Sequence, residues 1–537
     1  MQPQNQNVFS FSKILFAGVL TLVFLSVYTY FFPQKPQQEN QIQQTQQEKS
    51  APNLSGSNVA QSKQVDSEEI LARIEAKDFD LEIDTLGRIR QVFLKDQKFI
   101  SQPQESIFAK IFGHKQKEET KISLPLLDEK SIRPLEIRFA DSSLNQKAFN
   151  TPYVANQKVF KLEDQPLEVV LTQTLGDFII KKILTIKPDL SYTLEIQTSD
   201  SNQEFFLTNG ARPIADSDRY AFLGTIISDK NGRLENLEEG DIEGIQKYSS
   251  SVFFASVDRY FASVLFDRQN TLEVVVDGKI EAKNPIAFAH LKGNAKLEGY
   301  IGAKNYQELK ALYAPLGDVV EYGLITFFAK PLFLLLEMIY EFCGNWGWAI
   351  VLLTIIVRLV LFPLSYKGMM GMQKLKELAP EMKEIQAKYK SDPQKMQKHM
   401  MDLYRKHGAN PLGGCLPLLL QIPVFFAIYK VLYCAVELKS APWILWIIDL
   451  SAIDPYYVLP VIMGVTMYIS QILTPSNFTD PMQEKVFKML PLFFTFFFII
   501  FPFPAGLVLY WSVNNVISIF QQILINKIVA KQKEAKQ

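Results

Sequence analysis

The sequence predicts a multi-domain membrane protein in three parts: a polytopic α-helical bundle of six spans, an all-β domain outside the cytoplasm, and a cytoplasmic helical hairpin. Three observations carry this. Long apolar runs are confined to the two ends of the 537-residue chain, which is too long for one compact domain. Between about Glu68 and Ala303 the pattern is instead one of short runs alternating with period two. Lys+Arg and Asp+Glu both total 56, yet Pro33–Asn345 holds 36 basic and 45 acidic residues, so the remainder carries a positive excess. That excess clusters in loops beside apolar spans, where it sets orientation. Cys343, Cys415 and Cys434 lie in or next to apolar runs without metal-ligand spacing, so they read as small buried side chains and not as a disulfide framework.

Ile14–Phe32 is uncharged and preceded by Lys13, with no small-x-small cleavage signal after it. Residues 1–32 are therefore expected to be an uncleaved anchor with its N-terminus in the cytoplasm. Gln34–Gln64 holds ten glutamines in 31 residues, too little apolar content to fold, and makes 33–67 a disordered tether. Over 68–322 the runs FDLEID (Phe79–Asp84), LEVVLTQTL (Leu167–Leu175), FIIKKILTI (Phe178–Ile186) and TLEVVVDG (Thr271–Gly278) predict antiparallel strands of a large sandwich, closed by a helical segment at Tyr306–Tyr322. No Ser-His-Asp set, metal cluster or glycine-rich phosphate loop is evident in it. A scaffold or docking role is favoured over a hydrolase.

Gly323–Phe342 is apolar but interrupted by Lys330-Pro331, Glu337 and Glu341, so 323–345 is expected to be an amphipathic helix lying in the outer interface and turning at Gly344 into the span 346–364. Ser365–Gly414 carries ten basic and five acidic residues, which places 365–414 in the cytoplasm. Helical spacing of Met372, Leu375, Leu378, Ala379, Met382 and Tyr389, then Asp392-Pro393 as N-cap and first helical residue, predicts a hairpin of two helices. Seven of the thirteen methionines fall there, which suits either self-packing or a surface meeting varied apolar partners. The runs Cys415–Val436, Tyr456–Leu473, Met489–Phe503 and Ala505–Ile525 supply the spans of 415–525, and a basic tail, 526–537, returns to the cytoplasm.

The charge inside Trp346–Leu364 is the feature that asks for a function. Arg358 near mid-span costs roughly 2.5–3.5 kcal/mol on insertion scales. One reading is snorkelling, since Leu364 lies only about 9 Å further along the helix. The other is a functional cation, favoured by polar stripes elsewhere. Trp511, Asn515, Ser518 and Gln522 share one face of the last span, and Ser512 and Asn514 widen it. Thr354 sits one turn before Arg358, Gln421 lies in the third span, and Thr466 with Ser470 in the fourth. Such stripes line a wet cavity. No aspartate or glutamate lies in any span, which argues against the rival reading, a small-molecule transporter with a periplasmic binding domain. Uncharged Ser512, Asn515 and Gln421 solvate a guanidinium while leaving its charge for an acidic visitor. Met489–Phe503 reaches only about 22 Å against a hydrocarbon core of roughly 30 Å, so local bilayer thinning is expected.

NPLGGCLPLLLQIPVFFAIYKVL (Asn410–Leu432), DPYYVLPVIMGVTM (Asp454–Met467), TDPMQEK (Thr479–Lys485) and GLVLYWSVNN (Gly506–Asn515) closely resemble the YidC/Oxa/Alb family of membrane protein insertases, in its Gram-negative form with a large periplasmic domain. The resemblance covers roughly Trp346 to Ile525. It implies a five-span core with a hydrophilic groove open to the cytoplasm and to lipid, in which Arg358 receives charged client segments, and a β-supersandwich periplasmic domain. It further implies a bacterial inner-membrane location, insertion and chaperoning of nascent membrane proteins without chemical catalysis or cofactor, and contacts with membrane lipids, the ribosome, the signal recognition particle receptor and the SecYEG translocon. No direct DNA binding is expected. Clients are expected to slide out between the third and fifth spans past Pro423, Tyr429 and Phe497. Two departures stand out: FPFPAG at Phe501–Gly506 is longer than the family's usual turn, and Lys430 stands in the third span, where snorkelling outward is the simpler reading.

Overall fold

The computed structural model describes residues 69–534 except 101–121, 216–220, 243, 282–283, 323–324, 391, 408–415, 475–480 and 502. The expected anchor Ile14–Phe32, the glutamine-rich tether and Cys415 lie outside the described residues.

Among the described residues the N-terminal half is β-rich, in two sheets of five and thirteen strands. Strand Phe79–Asp84 shows how its sequence builds a core: Phe79, Leu81 and Ile83 enter the apolar interior, and alternation turns Asp80, Glu82 and Asp84 to the other face. That face is buried as well, because arginines cover it. Arg88 Nε and Arg133 Nη1 each reach Asp84 Oδ2 at 2.8 Å, and Arg90 Nη1 reaches Glu82 at 2.7 Å. A buried carboxylate left alone is strongly destabilising, so these partners are part of the fold's requirement. Leu167–Leu175 and Phe178–Ile186 pair across the two-residue turn Gly176-Asp177, with Gly176 at φ +74°.

Alternation on two central strands links the sheet to the helices. From Ile245–Val257 and Phe261–Phe266, Phe254, Phe261 and Leu265 point into the sandwich core. Phe253, Ala255, Val257, Ala262, Val264 and Phe266 point the other way, into a second core shared with the helical half. The β domain and the bundle therefore meet across packed apolar side chains.

The helices used below are α1 (Thr326–Cys343), α2 (Trp346–Glu377), α3 (Ala379–Lys388), α4 (Pro393–Lys406), α5 (Leu416–Cys434), α6 (Val458–Leu473), α7 (Pro481–Ile500) and α8 (Ala505–Glu534). Gly344 ends α1 at φ 66°, its N–H bonding Tyr340 O at 2.7 Å, and Asn345 then caps α2 by accepting from Trp348 N. α2 runs past the end of the apolar stretch at Leu364, with Pro363 inside it, and stops at Leu378. Asp392 accepts from Lys395 N at 3.1 Å to start α4. Leu378, Met382 and Leu403 form a small core between the α3 and α4 segments, so Met382 serves packing within the pair, while Met401 is exposed.

α7 and α8 are longer than their apolar runs. α7 begins at Pro481, ahead of the expected Met489, and α8 extends through Glu534. Hydropathy marks the apolar part of a helix, whereas Lys485, Lys488, Lys527 and Lys531 are good helix formers that prolong it into polar surroundings. The first amides of α8 are met by the loop between α5 and α6, Ala505 N donating to Ala452 O at 2.7 Å and Gly506 N to Leu450 O at 2.9 Å. Among the described residues, α2 and Ala505–Lys531 are long and apolar enough to cross a membrane, and Gln421–Cys434 and Val458–Leu473 are shorter apolar helices.

Candidate functional site

Arg358 sits on α2 with Leu359 and Val360 exposed beside it, while its own side chain turns inward and is only 9% exposed. Its partners come from α8. Nε donates to Asn514 Oδ1 at 2.5 Å, and Nη2 to Ser518 Oγ at 2.7 Å and to Asn514 O at 3.4 Å. Gln421 of α5 reaches the same Asn514 Oδ1 through Nε2 at 3.4 Å, so three helices converge on one amide. Among the described residues no carboxylate pairs with Arg358, and its Nη1 makes no hydrogen bond. The guanidinium is thus oriented along one edge by neutral groups and keeps its full charge.

The polar positions expected from the sequence divide in space. Ser518 joins Arg358 directly, and Gln421 joins it through Asn514. Asn515, the next residue along α8, turns instead to α6, its Nδ2 lying 3.3 Å from Met463 O and 3.4 Å from Thr466 Oγ1. Thr354 and Ser512 do not line a cavity with their hydroxyls: Thr354 Oγ1 donates to Ile350 O at 2.7 Å and Ser512 Oγ to Val508 O at 2.8 Å, each within its own helix and buried. Thr466 likewise donates to Ile462 O at 2.8 Å, and Ser470 is half-buried with its carbonyl accepting from Thr474. Asn514, the hub of the arrangement, reads from the sequence only as a residue that widens the polar face. Gln522 is buried and bonds Asn526 at 2.9 Å.

Trp511 belongs to a different neighbourhood from Arg358. Its indole lies edge-on to Phe425 of α5 at 4.9 Å and to Phe498 of α7 at 5.3 Å, with Phe494 at 6.0 Å. It therefore bridges α5 and α7. Phe497 sits among Phe493, Phe498, Phe501 and Phe503, and Tyr429 stacks on Tyr433 at 5.4 Å, one turn nearer the end of α5. Pro423 is half-buried inside α5. Lys430 acts on the β domain: it opposes the upward push that burial and Asp241 give the Glu238 carboxyl, and it lies beside Lys304.

Residues 72–335 match the family described as YidC periplasmic domain, and residues 338–533 the family described as 60Kd inner membrane protein. A protein of Wolinella succinogenes named membrane protein insertase YidC is 50% identical, covering 97% of this chain and 96% of its own length. The chain belongs to the YidC family of membrane protein insertases. A Helicobacter pylori relative of the same name is 50% identical over 99% of this chain and 98% of its own, and one of Campylobacter jejuni is 43% identical over 99% of both. Membership with a periplasmic-domain match makes this an insertase of the bacterial inner membrane, with its β-rich half in the periplasm.

Proposed function

We propose that insertion works through Arg358 as a charged receptor for passing clients. The observation that carries this is the bonding of Arg358: two donors are fixed by Asn514 and Ser518, none meets a described carboxylate, and Nη1 is left over. An acidic or polar segment of a nascent membrane protein takes that edge of the guanidinium for a time, in surroundings where a charge-assisted bond is stronger than in water. The client's apolar helix then leaves between α5 and α7, past Pro423, Tyr429 and Phe497, with Trp511 closing the back of that gap. Hydrophobic partition supplies the driving force.

The remaining architecture follows the same reading. α2, α5, α6, α7 and α8 form a five-span core and Ile14–Phe32 a sixth span, with both termini and the α3–α4 pair in the cytoplasm and α1 lying in the outer interface. The basic residues of the α3–α4 pair and the tail suit contacts with the ribosome, the signal recognition particle receptor and anionic lipid, and the protein serves clients alone or beside the SecYEG translocon. Arg358→Ala, expressed in cells depleted of the native protein, is expected to abolish insertion of a client with an acidic translocated tail. Normal insertion of that client sinks the role of the charge. Arg358→Lys separates charge from geometry, because an ammonium keeps the first and loses the planar fork.

A further inference from the structure

The outer end of α5 is finished by the β domain. α5 ends at Cys434, so the carbonyls of its last turn lack partners further along the helix. Ala435 N takes Val431 O, and the carbonyl of Tyr433 is met from far away in sequence: Arg259 Nε donates to it at 2.9 Å. The Arg259 guanidinium also lies over two aromatic rings, its Cζ 4.0 Å from the centre of Tyr433 and 4.5 Å from that of Tyr260. A buried cation at a helix C-terminus meets both the orphan carbonyl and the negative end of the helix dipole.

Arg259 is held rigidly in turn. It sits in the turn between Ile245–Val257 and Phe261–Phe266, where the fully buried Asp258 carboxylate accepts from Tyr260 N at 2.8 Å and Phe261 N at 2.6 Å. Three further contacts fasten the chain just after α5 to the same domain. Glu437 Oε1 accepts from Tyr306 N at 3.2 Å, Ser440 Oγ donates to Lys98 O at 2.8 Å, and Lys439 lies over the Tyr260 ring at 5.3 Å. The ring under Arg259, Tyr433, is the one on which Tyr429 stacks.

We infer that Arg259 is a positioning residue of the insertase: through its clamp on Tyr433 the periplasmic domain sets the place of Tyr429, and with it the client-facing side of α5. This rests on the proposed client path between α5 and α7. It gives the β domain a mechanical part in insertion. Losing the charge-assisted bond and the ring contact shifts the α5 end by roughly tenfold in its local equilibrium.

The test uses the full-length protein in membranes, with a photoreactive phenylalanine analogue at Tyr429 or, separately, at Phe497, and a ribosome-stalled client of one apolar helix. Arg259→Ala is expected to lower crosslinking from the 429 probe about tenfold while the 497 probe and the protease resistance of the β domain are kept. Arg259→Lys, which retains a cation over the ring, is expected to recover part of the 429 signal. Unchanged crosslinking at 429 in Arg259→Ala overturns the inference alone. Equal loss at both probes also overturns it, because Arg259 is then holding the fold together generally. If neither probe crosslinks to the client in the unsubstituted protein, the client path itself is wrong, and the inference falls with it.

Discussion

Asn514 Oδ1 accepts the Nε proton of Arg358 at 2.5 Å, across the packed faces of α8 and α2. An amide oxygen there orients the guanidinium without neutralising it. Asn514→Asp is nearly isosteric and puts a carboxylate at the same point, where a buried ion pair forms with good geometry. The variant is expected to accumulate at normal level with unchanged or raised thermal stability. Its insertion of a client with an acidic tail is expected to fall by roughly tenfold or more, because the client must displace an internal counter-ion. Quantitative insertion assays beside heat-unfolding in detergent check this. Full activity in a folded Asn514→Asp protein contradicts the need for a free positive charge.

Close packing of α6 against α7 rests on Gly464. A Cβ built there collides with Thr495 Oγ1, a hydroxyl already committed to Pro491 O at 2.8 Å. Gly464→Ala is therefore expected to destabilise by roughly 1–3 kcal/mol, the usual cost of overpacking. Thr495→Ala in the same chain removes the colliding atom and is expected to restore much of the loss. The measurement is the unfolding midpoint of the single and double variants. Additive losses in the double variant dispose of the explanation.

How far the chain could be read beforehand depends on the range over which each signal acts. Phe79–Asp84, Leu167–Leu175 and Phe178–Ile186 are strands with the bounds that their alternation marks, because the two-residue period is local. The polar stripe of α8 was legible too, but periodicity cannot say which helix a residue meets. Asn514 and Asn515 are adjacent in sequence, and the roughly 100° between them sends one to α2 and the other to α6. The hydroxyls of Thr354 and Ser512 satisfy themselves on the carbonyl four residues back, a habit of serine and threonine inside helices that could have removed both from a list of cavity-lining groups. Arg259 and Tyr433 are 174 residues apart, and no local pattern signals such a contact.

Glu437 makes the junction between the halves sensitive to pH. Burial is the largest cause that pushes its carboxyl up, to about 7, against the lowering pull of its backbone bonds and Lys98. One oxygen accepts from Tyr306 N, and Oε2 is buried without a partner among the described residues, which suits the protonated acid. The folded state thus holds a proton that the undocked state, with an ordinary carboxyl near 4.5, releases. Its stabilising effect is complete below about 4.5, declines as pH rises, and is spent above about 7. The total change is on the order of 3 kcal/mol. Glu437→Gln keeps the acceptor for Tyr306 N and cannot ionise. The unfolding midpoint of the parent protein is expected to fall between pH 4.5 and 7 relative to that of Glu437→Gln, which stays flatter across the same window. Parallel profiles for the two proteins would place the titrating group elsewhere.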